Sequence, residues 1–243
     1  MNDIESGLPY RPAPVLTTLT VIGLSLFMLL DLLYIPGGLV GMAGAGVFNG
    51  GTRDPELIEI SVLIRGLSAL GQMFLFIITP ICFCMLMYRC AKNARALGFT
   101  GFSHTPGWVA GWFFIPFAHL IMPYKAIAEI WQSSRATVEL GEYPEWWETN
   151  IGFLLKAWWA AWIFGTILTN FSSRMSRSSL FETIGMSLIP FAALLQVIAA
   201  ILCIMVVLKL TKLQNLQAAV LLQTSPDLQD GNANTGVDES RRE

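Results

Sequence analysis

Four long apolar segments limit the kinds of fold open to this chain. They cover residues 15–35, 67–87, 151–171 and 184–208. Asp31 and Lys156 are the only charged side chains within them. About 20 apolar residues cross a bilayer as a helix, and a helix satisfies its backbone hydrogen bonds within one segment. The segments predict an all-α, polytopic membrane protein with four full transmembrane helices.

The composition supports this class and argues against others. Charged residues make up 13% of the chain and hydrophobic residues 54%, whereas about 25% of a soluble domain is charged. The net charge is −2 and no basic stripe is present, which argues against a nucleic-acid partner. The expected partners are the lipid bilayer and either another membrane protein or a second copy of the chain. No cofactor is expected.

The chain divides into one domain with a tail at each end. Residues 1–14 predict a flexible N-terminal tail, residues 15–222 a single helical membrane domain, and residues 223–243 a disordered C-terminal tail. The glycine-rich residues 37–51 predict a flexible loop between the first two helices. The second helix is expected to begin near Glu56 and to end at Gly98, and the last helix to extend beyond the bilayer.

Residues 108–134 do not resemble an ordinary transmembrane helix. The charge-free run at residues 108–122 would reach roughly 22 Å as a helix, against about 30 Å of hydrocarbon. Pro116 interrupts the run, and a proline inside a helix kinks or ends it. From Tyr124 to Trp131 the pattern is that of an amphipathic interfacial helix. We expect a proline-broken re-entrant or interfacial segment; the alternative is a fifth transmembrane helix.

The positions of lysine and arginine bear on this choice because these residues gather on the cytoplasmic side. If residues 108–122 span the membrane, both sides hold equal numbers of them. If they do not, the side of the N-terminus holds the larger share, namely Arg11, Arg89, Lys92, Arg95, Lys125, Arg135, Lys209 and Lys212. The opposite side then holds Arg53, Arg65, Arg174 and Arg177. The distribution favours four crossings with both termini in the cytoplasm.

Two stretches carry a resemblance to a known family: YRCAKNARALG at residues 88–98 and HTPGWVAGWFFIPFAHLIMPYKAIAEIW at residues 104–131. With them, the chain resembles the bacterial membrane family called domain of unknown function 4328, over roughly residues 67–208. The positions that fit are Asn93, Ala94, Leu97, Gly98, Pro106, Gly107, Trp108, Trp112, Phe113, Pro116, Leu120, Pro123, Tyr124, Glu129, Trp131, Ser134, Trp158 and Trp159. His119 departs from the asparagine expected there. The resemblance implies a multi-pass protein of the bacterial inner (plasma) membrane, of unassigned activity, and supplies no catalytic residue.

The broken segment also gives the candidate site. Arg89 and Asn93, at the end of the second helix, are expected at the level of Lys125 and Glu129. With aromatic and proline neighbours they form either a ligand pocket or a structural lock of the segment. The complete set is Arg89, Asn93, Trp112, Pro116, His119, Lys125, Glu129 and Trp131.

The sequence favours a protein without enzymatic activity, since no common catalytic motif is present. No metal site is expected. His104 is the only histidine besides His119, and no Cys, His, Asp or Glu residues at metal-ligand spacing surround His119. A structural or partner-binding role in the bilayer is favoured. The alternative is a small permease, or a binder of a lipid, quinone or other amphipathic ligand, because broken helices expose backbone groups to substrates.

Four crossings predict the sidedness of three positions. In a cysteine-free background, single cysteines at Asn49 and Ser176 should react with an impermeant maleimide from outside the cell. A cysteine at Asn232 should react only when the cytoplasmic face is opened. Labelling of Asn49 and Asn232 from one side, with Ser176 on the other, would contradict this topology.

Overall fold

The computed structural model describes residues 10–140, 150–177 and 180–224, and the regular structure in these residues is entirely helical. The prediction of an all-α fold is confirmed. Residues 1–9 of the predicted N-terminal tail (residues 1–14) and residues 225–243 of the predicted C-terminal tail (residues 223–243) lie outside the described residues. The helices are α1 (Pro14–Gly44), α2 (Pro55–Ala96), α3 (Pro106–Gly111), α4 (Met122–Leu140), α5 (Phe153–Met175) and α6 (Glu182–Thr224). Two 3₁₀ turns, Trp112–Phe114 and Ala118–Leu120, lie between α3 and α4.

Several described helices are long and apolar enough to cross a membrane. Three helices have the required length and hydropathy by themselves: Pro14–Gly44, Pro55–Ala96 and Glu182–Val220. Pro106–Phe114 and Ala118–Arg135 meet them as a pair, but the two halves are bent by 113°. Helix α5 has 23 residues, yet it is not among these spans, because Lys156 and three tryptophans lower its mean hydropathy. The protein is therefore membrane-embedded, with three to four candidate spans.

The prediction of a loop at residues 37–51 is wrong over its first half, because α1 continues to Gly44. The glycines there let α1 approach α2 closely. A Cβ atom on Gly41 would lie 3.2 Å from Ser61 Oγ, and one on Gly44 would lie 2.9 Å from the backbone nitrogen of Ile58. Close packing thus outweighs the cost of glycine in a helix, about 1 kcal/mol per residue. The true turn is residues 45–54.

The predicted start and end of α2 are confirmed to within two residues. Helix α2 begins at Pro55, where the Asp54 side chain accepts hydrogen bonds from the Glu56 and Leu57 backbone nitrogens. It ends before Gly98, whose φ of +91° is a conformation that favours glycine. Helix α6 continues to Thr224.

Helix α1 packs between α2 and α6, and α5 lies along α6. The antiparallel α5–α6 pair is in contact over much of its length. Ser172 Oγ donates to the Gly185 carbonyl at 2.8 Å, and a Cβ atom on Gly165 would lie 3.2 Å from the Gln196 side chain. Helix α5 therefore runs beside the apolar part of α6.

The buried core gathers at one end of the helices. It joins the C-terminal parts of α2 and α6 to α4 and to the start of α5, and its fully buried members include Leu86, Met87, Ile127, Trp131, Leu155, Val206 and Leu210. Elsewhere large apolar side chains face outward, as on α2, where Phe76 is 72% exposed. This apolar belt is typical of a surface in contact with lipid.

Two glycine substitutions should separate close packing from helix propensity. We expect Gly44→Ala to lower the free energy of unfolding by about 1–3 kcal/mol, because its new methyl group meets α2 backbone. Gly66→Ala is the control, since a Cβ atom there has no heavy atom within 4 Å, and it should be neutral or stabilise by about 0.5–1 kcal/mol. Melting in mild detergent measures both; equal melting temperatures would contradict the packing.

Candidate functional site

Residues 106–121 comprise α3 and the segment that joins it to α4, and we call them the hairpin, because the helical parts on either side of Pro116 are bent by 113°. Thr105 caps α3 by accepting from the Trp108 backbone nitrogen, and Pro106 occupies the first helical position. The helical conformation is interrupted at Pro116, as predicted, because a proline disrupts the hydrogen bonding of a helix. Phe117 follows with a φ of 63° and a ψ of −42°, and the Ala118 backbone nitrogen donates to the Pro116 carbonyl at 2.8 Å. This is the geometry of a γ-turn with positive φ, which is rare and strained. Its ring is 86% exposed, so an aromatic side chain forms the tip.

Tryptophans of α5 hold the returning half of the hairpin. The Trp159 indole nitrogen donates to the Leu120 carbonyl at 3.0 Å, a backbone acceptor next to the break. The Trp162 ring lies 6.4 Å from the His119 ring in a perpendicular arrangement, and the Tyr124 and Trp159 rings lie 6.0 Å apart. Trp159 is absent from the predicted site; its spacing from Trp162 and a break in the neighbouring segment were the available signals.

Helix α4 packs against the end of α2 from which the hairpin departs. The buried Gln214 amide of α6 donates to the Cys90 carbonyl at 2.9 Å and to Ser134 Oγ at 3.3 Å. Gln217, one turn further on, donates to the Ser133 carbonyl at 3.1 Å. Three helices therefore meet at one buried polar contact. Sequence reasoning missed these glutamines, because a polar residue in an amphipathic helix is expected to face water.

An open cleft of about 440 Å³ lies beside α4, and we call it the α4 cleft. Its lining residues are Ser103, His104, Met122, Tyr124, Lys125, Ala128, Glu129, Gln132 and Ile151. Within it, His104 Nδ1 lies 3.2 Å from Glu129 Oε1, and both side chains are largely buried. Lys125 is exposed. The cleft combines apolar walls with a histidine–carboxylate pair and one exposed ammonium group.

The loop that carries His104 is held by Arg95. The guanidinium donates to the His104 carbonyl at 2.7 Å and to the Ala91 carbonyl at 3.0 Å, and it lies 4.6 Å from the centre of the Phe102 ring. The His104 ring lies 6.1 Å from Trp112 in a perpendicular arrangement. His104 and Arg95 belong to the site although the sequence-based set omits both, because their partners are distant in the helical pattern.

The structure brings together part of the predicted site. Lys125 and Glu129 line the α4 cleft, and Trp112 packs against His104 on one side and Trp108 on the other. Glu129 lies beside His104. These residues form the polar mouth of the cleft and the wall behind it.

Other predicted residues take separate places. Asn93 is buried and holds the segment before α1, since its amide donates to the Arg11 carbonyl at 3.1 Å and its oxygen accepts from the Arg11 backbone nitrogen at 3.3 Å. Trp131 is buried, with Lys209 Nζ 5.7 Å from its ring centre. Pro116 and His119 belong to the hairpin, and Arg89 is half-buried on α2. These positions are consistent with a role in holding the fold.

Tyr10 adds a second contact to the same N-terminal segment. Its hydroxyl donates to Asn215 Oδ1 on α6. Burial raises the pKa of Tyr10 to about 12, with a smaller contribution from Cys90, so the phenol keeps its proton at neutral pH. The segment just before α1 is therefore attached to both α2 and α6.

Removal of the Asn93 side chain should test this attachment. We expect Asn93→Ala to lower the free energy of unfolding by about 1–3 kcal/mol, because it leaves two Arg11 backbone groups without their partner. The matched control is Asn170→Ala, whose exposed amide bonds only to the Thr166 carbonyl of its own helix. Thermal melting measures both variants, and an Asn93→Ala protein as stable as the control would refute the assignment.

Comparison with known proteins identifies one family. The family model described as Domain of unknown function (DUF4328) matches residues 49–212. The match includes α2, the hairpin, the α4 cleft, α5 and most of α6. No curated protein matches the chain, and no solved structure does. Because the family model covers more than half of the sequence, the chain belongs to the DUF4328 family.

Proposed function

We propose that the protein crosses the membrane four times, through α1, α2, α5 and α6, and that the hairpin enters and leaves on one side. Two contacts support this topology. Helix α5 lies beside α6 from Ser172 and Gly185 onward, so both helices traverse the same apolar depth. Gln214 of α6 bonds both to Ser134 on α4 and to the Cys90 carbonyl on α2. Helix α4 therefore lies beside the end of α2 from which the chain continues into the hairpin.

The distribution of positive charge supports an orientation for this topology. With four crossings, Arg95, Lys125 and Lys209 lie on one side, together with the N-terminus and the end of α6. Positive residues gather on the cytoplasmic side, so the orientation places both termini and the α4 cleft there. For a bacterial chain the membrane is the inner membrane.

We propose further that the α4 cleft binds an anionic amphipathic molecule, such as a phospholipid, by its head group. The observation that carries this proposal is the combination of Lys125 with the apolar side chains of Met122, Ala128 and Ile151 in one open cleft. Small-ligand sites are mostly apolar, with a few polar groups that fix orientation. Lysine near a membrane surface attracts anionic head groups.

The neighbouring groups favour the same ligand class. Glu129 Oε1 lies 3.2 Å from His104 Nδ1, so the carboxylate is engaged within the cleft, and Lys125 is an exposed charge there. Ser103 and Tyr124 supply hydroxyl groups that donate to phosphate oxygens. Met122 directly follows the hairpin, whose Phe114 ring is 72% exposed. An acyl chain would therefore find an apolar surface beside the head group.

A structural or partner-binding role is the second candidate. The buried hydrogen bonds of Asn93 and Gln214 favour it, because Asn93 connects α2 to the segment before α1 and Gln214 connects α6 to α2. In this role the hairpin and α4 would fix the geometry of α2 and α6 for a partner within the bilayer. The cleft residues would then tolerate substitution without loss of bound lipid.

Lys125→Ala should distinguish the two candidates. Removal of one membrane-proximal lysine is expected to cost about 1 kcal/mol, roughly a fivefold loss of affinity for an anionic lipid. Native mass spectrometry of protein purified in mild detergent, with added phosphatidylglycerol, measures lipid retention. The control is Lys212→Ala, an exposed lysine on α6, which should retain lipid as the wild type does. Equal retention by both variants would favour the structural role.

A further inference from the structure

Two polar side chains meet between α1 and α2, far from the α4 cleft. The Gln72 side-chain amide donates to Asp31 Oδ1 at 2.8 Å. Asp31 is the only charged residue of α1, and both side chains are half-buried. A polar pair in an apolar helix pair is uncommon and marks a candidate functional site.

The Asp31–Gln72 pair lies inside the apolar belt. Helix α1 continues from Asp31 for three further turns to Gly44, and Leu29 and Leu33 on either side of Asp31 are about half exposed. On α2, Met73 and Phe74 beside Gln72 are 58% and 65% exposed. Exposed apolar side chains therefore surround the pair on both helices, so Asp31 is not at the edge of the apolar region.

The hydrogen-bond partner of Asp31 is the neutral Gln72 amide, and the nearby Arg65 guanidinium bonds elsewhere. Arg65, two turns before Gln72, donates to the Ser61 carbonyl and to Ser61 Oγ, each at 3.2 Å. Tyr34, one turn beyond Asp31 on α1, interacts electrostatically with both Arg65 and Asp31. Helix α2 carries no charged residue between Arg65 and Arg89, and α6 carries none between Glu182 and Lys209. Among the residues that the structure describes, no ion pair involves Asp31.

We propose that Asp31 is a proton-binding site within the bilayer. A carboxylate in hydrocarbon is costly unless a charge of opposite sign is beside it, whereas a carboxylic acid and a primary amide satisfy each other. The Gln72 N–H donates to Asp31 Oδ1, and the O–H of a protonated Asp31 would have the Gln72 carbonyl oxygen as its acceptor. The proton comes from water, and its release regenerates the carboxylate. A metal cation would need more oxygen ligands than these two side chains supply.

A hydrophobic carbodiimide tests the protonation state of Asp31. Its nitrogen takes the carboxyl proton and its central carbon bonds to the carboxyl oxygen, and the adduct rearranges to a stable N-acylurea without a leaving group. Membranes that contain the full chain would be treated with dicyclohexylcarbodiimide over a pH series and digested for mass spectrometry. We expect modification of Asp31 at neutral pH that falls as the pH rises. Asp54, whose side chain accepts from two backbone nitrogens at the start of α2, is the control outside the apolar belt and should remain unmodified.

Two variants make the test decisive. Asp31→Asn keeps the shape and should lose both the adduct and the infrared carbonyl band of a protonated carboxyl group. Gln72→Lys places an ammonium group beside Asp31, which should ionise it and suppress modification while the protein still melts cooperatively. An Asp31 that shows neither adduct nor infrared band, or that Na⁺ protects at constant pH, would overturn the proposal.

Discussion

In the topology that we propose, the backbone of the hairpin lies at membrane depth, where its polar groups must find partners within the protein. Pro116 breaks the helix, and the Leu120 carbonyl beside the break accepts from the Trp159 indole. This contact ties the hairpin to α5. It also determines where α4 begins, and hence where Lys125 and Glu129 lie. The position of the α4 cleft thus depends on the contacts that hold the broken segment.

Local signals made several elements predictable. Asp54 and Pro55 mark the start of α2, Gly98 marks its end, and Pro116 marks the break, because each acts on its own stretch of backbone. The end of α1 was not predictable in this way. The local abundance of glycine predicts a loop there. The close approach of α2 at Ser61 and Ile58 explains why these glycines are helical.

The candidate site was predictable in part, for a related reason. Sequence spacing placed Lys125 and Glu129 on one helical face, and the structure puts both in the α4 cleft. It did not find His104 as the partner of Glu129, or Arg11 as the partner of Asn93, because these contacts join separate elements. Polar side chains lie in two separate places. Charged groups line the α4 cleft, and the Asp31–Gln72 pair lies between α1 and α2.

The central claim is that the hairpin returns to the side from which it enters. Single cysteines at Thr100, before the hairpin, and at Lys125, after it, test this most directly with a membrane-impermeant maleimide. The proposed topology predicts that both are protected in intact cells and that both react in inverted vesicles. Reaction of the two positions from opposite sides of the membrane would show that residues 106–121 cross it, and would contradict the account.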